Sequence, residues 1–132
     1  MTRVFLYVCL WLPLFSNAGC ALNPGDVHYA GVRGTLTAVE TASYKKVLQS
    51  VSSAMADLQL KPLEREQDGF RALIVGESNF GVLAQTHEIR VSVKRLTDST
   101  TEIKYHIVGR RDQSRLRAIH SEVRKRLVAP AA

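Results

Sequence analysis

A chain of 132 residues, 45% hydrophobic and 23% charged, has room for one modest core and excludes two independently packed domains. It carries a net charge of +6, yet only Arg3 of the basic residues lies in the first nineteen positions, so the surplus belongs to the remainder of the chain. No internal repeat or low-complexity tract interrupts it.

The first segment has the three properties that export requires: a short basic start (Met1-Thr2-Arg3), an apolar run from Val4 to Phe15, then small and polar residues. That run contains Pro13 and is too short to span a hydrocarbon layer, which needs about 20 helical residues, so residues 1–19 read as a signal peptide. Two cleavage rules compete. Ser16-Asn17-Ala18 suits a general signal peptidase cutting before Gly19, whereas Ala18-Gly19-Cys20 resembles a lipobox, with Asn17 where an aliphatic residue is usual. Cys9 leaves with the signal, so a mature chain holds one cysteine at its extreme start and no internal disulfide. Lipidation of Cys20 is therefore the expectation; two or more acyl chains give stable anchoring where one is marginal.

Residues 20–31 read as the anchor cysteine and a tether, because Asn23-Pro24-Gly25-Asp26 is rich in turn formers. A single domain is expected over 32–128, with a tail at 129–132. Val32, Gly34, Leu36 and Ala38 alternate with Arg33, Thr35 and Thr37 and predict a first strand. Tyr44, Val47, Leu48, Val51, Met55 and Leu58 form one helical stripe, with Thr41 as the expected N-cap. Strand-like runs from Leu58 to Glu66 and from Phe70 to Glu77 flank Gln67-Asp68-Gly69, a hairpin signal, and Pro62 pushes the first run towards a sheet edge.

Gly76 to Gly81 spaces two glycines like a phosphate loop but lacks the Lys-Ser/Thr pair, so it reads as a connection, with Phe80, Val82 and Leu83 as a candidate contact point. Ile89, Val91 and Val93 alternate with Glu88, Arg90, Ser92 and Lys94. Ile103, Tyr105 and Ile107 alternate with Glu102, Lys104 and His106, and residues 96–100 turn between the two strands. A second helix, capped by Asp112, carries the stripe Leu116, Ile119, Val123 and Leu127. The expected fold is α+β: an antiparallel sheet of four to five strands with two helices on one face, in the order β-α-β-β-β-β-α.

Gly19-Cys20, the strand Val32-Arg33-Gly34-Thr35-Leu36 leading into the helix at Tyr44 to Leu58, the two hairpins and the basic stretch from Ile119 to Leu127 together resemble a family of small bacterial lipoproteins, domain of unknown function 3568. The resemblance implies an envelope location and a compact α+β domain, and it carries over no catalytic residue.

Chemistry is hard to find in the residues themselves. His28, His87, His106 and His120 lack metal-ligand spacing, and no serine elbow or activated cysteine is evident. No catalytic residue, metal or cofactor is expected. The electrostatic feature is the last helix and its approach, where Arg110, Arg111, Arg115, Arg117, Arg124, Lys125 and Arg126 face only Asp112 and Glu122. Such a stretch suits an anionic surface, although helix-end complementarity and a Glu122–Arg126 pair account for much of it.

The leading expectation is a non-enzymatic envelope protein anchored in a membrane through Cys20, outer and periplasm-facing, that binds anionic lipid, a cell-wall polymer or another envelope protein. The alternatives are a small hydrolase or metalloenzyme acting on wall or lipid through His87 or His106, and a cytosolic basic protein binding nucleic acid. The export signal argues against the last.

Overall fold

The computed structural model describes residues 23–80 and 85–128. Strand β1 (Val27–Ala30) turns into β2 (Thr35–Glu40), which is followed by helix α1 (Tyr44–Asp57). Four strands come next, β3 (Lys61–Gln67), β4 (Arg71–Phe80), β5 (Gln85–Arg95) and β6 (Thr101–Ile107), and α2 (Gln113–Val128) closes the order. Every pairing is antiparallel, in the sheet order β1-β2-β6-β5-β4-β3. The signal segment, Cys20 and the tail at 129–132 lie outside the described residues, as do Val82, Leu83 and the side chain of Phe80.

The α+β reading holds, with two differences at its start. Residues 27–30, expected in a tether, form β1, so the sheet has six strands. Val32 to Gly34, assigned to the first strand, instead make the turn between β1 and β2. Val32 is 83% exposed, and Gly34 has φ +62° with its amide donating to the Ala30 carbonyl. A Cβ on Gly34 would also sit 3.1 Å from Arg111 Cγ, which would have to give by a few tenths of an ångström, so glycine is favoured there by both conformation and space. The weak alternation counts a turn glycine as an inward strand residue.

Register explains the core. Leu36, Tyr105, Val91 and Ile74 lie in one row across the sheet, and Ala38, Ile103, Val93 and Ala72 in the next. All are buried, and all but Ala38 share one core cluster with the stripes Val47, Leu48, Val51, Ala54 and Met55 of α1 and Leu116, Ile119 and Val123 of α2. The strands therefore present the alternation their sequences predict. Val39 and Val75 depart from it, since register places them on the second face and both are buried.

Helix α1 is capped by Ser43 and not by Thr41; the Ser43 hydroxyl accepts from the Lys46 amide at 3.4 Å. At its other end Leu58, the last residue of the expected stripe, is an exposed C-cap, and Leu60 takes the buried place. The Leu60 amide donates to Met55 and the Gln59 amide to Ala56, which is a Schellman closure with Gln59 at φ +57°. A side chain in that left-handed position is strained. Gln59→Gly is expected to raise stability by about 0.5–1 kcal/mol, read as a higher midpoint in urea unfolding with an unchanged slope.

Pro62 does lie on an edge strand, and the β3–β4 register shifts between Pro62 and Glu64. The Asp68-Gly69 hairpin forms as expected, though Gly69 is not left-handed. Its loop is held by Asp68 Oδ1, which accepts from the amides of Phe70 and Arg71 at 2.7 Å each. Those two amides, Phe70 first, hold the Asp68 carboxyl below the usual carboxylate range. A lowered folded-state value means stability that is present above the ordinary carboxylate pKa and lost as pH falls through the lowered one. In a pH series of thermal unfolding, the parent chain should lose stability relative to Asp68→Asn within that acidic window.

Residues 76–80, read as a connection, prolong β4 and pair with 85–89 of β5. Gly76 sits beneath α1, where a Cβ would come within 2.7 Å of Met55 Cε, so the absence of a side chain lets helix and sheet approach closely. Helix α2 starts as predicted: Asp112 Oδ1 accepts from the Arg115 amide at 3.0 Å.

Candidate functional site

Of the seven basic residues expected to form an anionic-surface site, Arg110, Arg124, Lys125 and Arg126 meet carboxylates. Arg110 lies 3.5 Å from Asp112, Lys125 donates to Glu122 at 2.8 Å, and Arg126 meets both Glu122 and Asp57. Arg124 Nε lies 3.6 Å from Glu40 Oε1. These contacts belong to helix termination and helix docking. Arg111, Arg115 and Arg117 keep exposed side chains along the beginning of α2, and Gln113, with its amide oriented to accept, receives Arg117 at 2.8 and 2.9 Å.

A second constellation, not anticipated from the pattern, lies beneath α2. Tyr105 in β6, His120 in α2 and Glu40 at the end of β2 form a buried chain with exposures of 0%, 5% and 6%. Tyr105 Oη and His120 Nδ1 are 2.9 Å apart, with the rings edge to face at 5.5 Å. His120 Nε2 lies 3.1 Å from Glu40 Oε1. That last approach suits an ionic contact but not the direction of a hydrogen bond, so both atoms are buried without a directed partner.

Burial, followed by the nearby Glu40 carboxylate, pushes the Tyr105 phenol well above its ordinary pKa. The neutral phenol exchanges one hydrogen bond with His120 Nδ1, in the direction set by the tautomer of the ring, while Nε2 faces Glu40. The chain can hold a proton in place and fix α2 to two strands at once. A chain this deeply buried offers no nucleophile to a substrate, since all three side chains lie under the helix.

Both missed residues had a signal. Glu40 shares the inward parity of Leu36 and Ala38, and His120 stands four residues after Leu116 and three before Val123, within the apolar stripe. Of the other histidines, His106 is half-buried on the second sheet face with Nδ1 3.3 Å from the Gly34 carbonyl oxygen. His87 is half-buried in β5, and His28 is exposed in β1. Among the described residues no three His, Cys, Asp or Glu side chains group as a metal ion needs, and no helix is long and apolar enough to cross a membrane.

Comparison with known proteins adds the family. The profile described as protein of unknown function (DUF3568) matches residues 3–126, nearly the whole chain. The chain belongs to this family. No curated protein matches it. Among solved structures, this DUF3568 domain is similar to the vertebrate conserved region (VCR) of human METTL16, at 13% identity and a TM-score of 0.51, over 64% of this chain and 74% of that one. At that identity the likeness is one of fold alone. It accords with the helices-on-sheet architecture of the DUF3568 domain.

Proposed function

We propose that the protein is an exported, lipid-anchored envelope module, attached through Cys20 and non-enzymatic, that binds an anionic partner with the exposed arginines at the start of α2. The observation that carries this reading is the exposure of the Arg111, Arg115 and Arg117 side chains on the approach to α2 and in its first turns, in a segment whose later basic residues, Arg124, Lys125 and Arg126, meet Glu40, Glu122 and Asp57. Exposed guanidinium groups favour anionic oxygens in bidentate geometry. The burial of the Tyr105–His120–Glu40 chain supports binding over catalysis.

The address is tested by the intact mass of the mature protein from the membrane fraction of its host, beside a Cys20→Ala variant. A mass matching an acylated Cys20, lost in the variant, supports the anchor. A chain starting at Gly19 without lipid, or at Met1, overturns it. Replacing Arg111, Arg115 and Arg117 together with serine should weaken salt-sensitive binding of a soluble polyanion such as polyglutamate by about ten-fold or more at low ionic strength, without lowering the unfolding midpoint. Arg124 is excluded from that set because its contact with buried Glu40 would mix binding with stability.

A further inference from the structure

The strands define two ends of the domain. At one end lie the β1–β2 turn and Arg111; at the other lie residues 23–26, the β3–β4 loop and the β5–β6 turn. Register and hydrogen bonds fix the second end: the Gly25 amide donates to the Val39 carbonyl, Glu40 pairs with Thr101, Thr101 pairs with Arg95, and the Arg95 amide donates to the Phe70 carbonyl. The start of α1 belongs to this end too, since Thr101 Oγ1 donates to the Ala42 carbonyl and Tyr44 Oη to the Asp68 carbonyl.

This end has two features that folding does not require. Two hairpin tips lie side by side and expose Phe70 (63%) and Leu96 (44%), with the Arg95 guanidinium 5.6 Å from the Phe70 ring centre. In addition, α1 carries no acidic residue in its first turn and places exposed Lys45 and Lys46 there, against the positive end of the helix dipole. Exposed Arg71 and Lys94 flank the tips. Of the acids at this end, Asp26 accepts from the Asn23 amide, Asp68 from the amides of Phe70 and Arg71, and Asp98 pairs with Arg95. Apolar tips, an aromatic ring under a guanidinium and a cationic surround are the composition of a surface that rests in a lipid interface.

The position of the chain's start identifies the occupant. Cys20 is three residues before Asn23, a span of at most about 11 Å, and β1 stands four strand spacings, about 19 Å, from β4. Lipid on Cys20 and the two tips can therefore meet one plane. We infer that the end bearing Phe70, Leu96, Lys45 and Lys46 docks on the anionic bilayer that holds the Cys20 lipid, which turns the Arg111 end away from that membrane. This docking rests on the lipid anchor at Cys20.

The test uses the mature acylated protein on vesicles of phosphatidylglycerol and phosphatidylcholine, with an environment-sensitive fluorophore on Leu96→Cys or, at the opposite end, Val32→Cys. The expected result is a blue-shifted Leu96 label quenched by brominated acyl chains, a Val32 label that stays in water, and a loss of the Leu96 signal of about ten-fold or more in Lys45→Glu/Lys46→Glu at low salt. Flotation with the vesicles reads the anchor separately from the labels. A protein that floats while its Leu96 label remains in water, or whose two labels are quenched alike, overturns the docking alone and leaves that end to a protein or wall polymer. A protein that does not float overturns the anchor and the docking with it.

Discussion

Replacing Glu40 with alanine is expected to destabilise the domain by about 3 kcal/mol, measured as a lower midpoint in chemical unfolding. The physical reason is asymmetry. Removing one member of a buried polar pair leaves the other desolvated and unmatched, which costs about 3–5 kcal/mol. The lower end applies here because Arg124 is half-exposed and can return to water. His120 cannot, being 5% exposed and committed on its other nitrogen to Tyr105.

By the same asymmetry, removing both partners should differ from the sum of the single losses. Glu40→Met combined with His120→Leu removes both orphaned atoms in volumes close to the originals. That pair should cost less than the two single losses summed, the remaining loss of about 1–3 kcal/mol being the buried Tyr105 hydroxyl that His120 no longer matches. Near-additive single and double losses in the cycle would show that the two side chains do not act together.

Replacing Leu116 with alanine should cost about 3 kcal/mol, within the range for a fully buried leucine whose neighbours relax only partly. Leu116 is fully buried in the first turns of α2, against the sheet. Its expected effect is set against that of Arg117 one residue on, an exposed side chain whose replacement should change stability by less than about 0.5 kcal/mol. Measuring both in one denaturation series separates what docks α2, which is apolar burial, from what α2 presents to a partner, which is charge. A loss at Arg117 equal to that at Leu116 would refute the division.

Much of the architecture is legible in order along the chain. Alternation in β5 and β6 names the inward residues Ile89, Val91, Val93, Ile103, Tyr105 and Ile107, and all six are buried, because period-two patterns of β-branched and aromatic residues leave little choice of face. Both helical stripes match their patterns apart from Leu58, whose place at the C-cap depends on where the Schellman turn closes. Strand β1 escapes the pattern because four residues among turn formers have too short a period to register. They become a strand only by pairing with β2, a contact made across the turn.

The candidate surfaces divide in the same way. Local pattern alone displays the inward faces of β5 and β6, the edge position of Pro62, the Asp68 hairpin, the Asp112 cap and the concentration of positive charge in the last helix. Those properties depend on neighbours one to four residues away, which a pattern can display. Folding brings Glu40, Tyr105 and His120 into one buried chain, sets Arg124 against that chain, and gathers Phe70, Leu96 and the lysines of α1 at the end where residues 23–26 lie. Each of those outcomes joins residues tens of positions apart through sheet register and helix docking, and a charge or an imidazole has no fixed role until the fold has set which groups surround it.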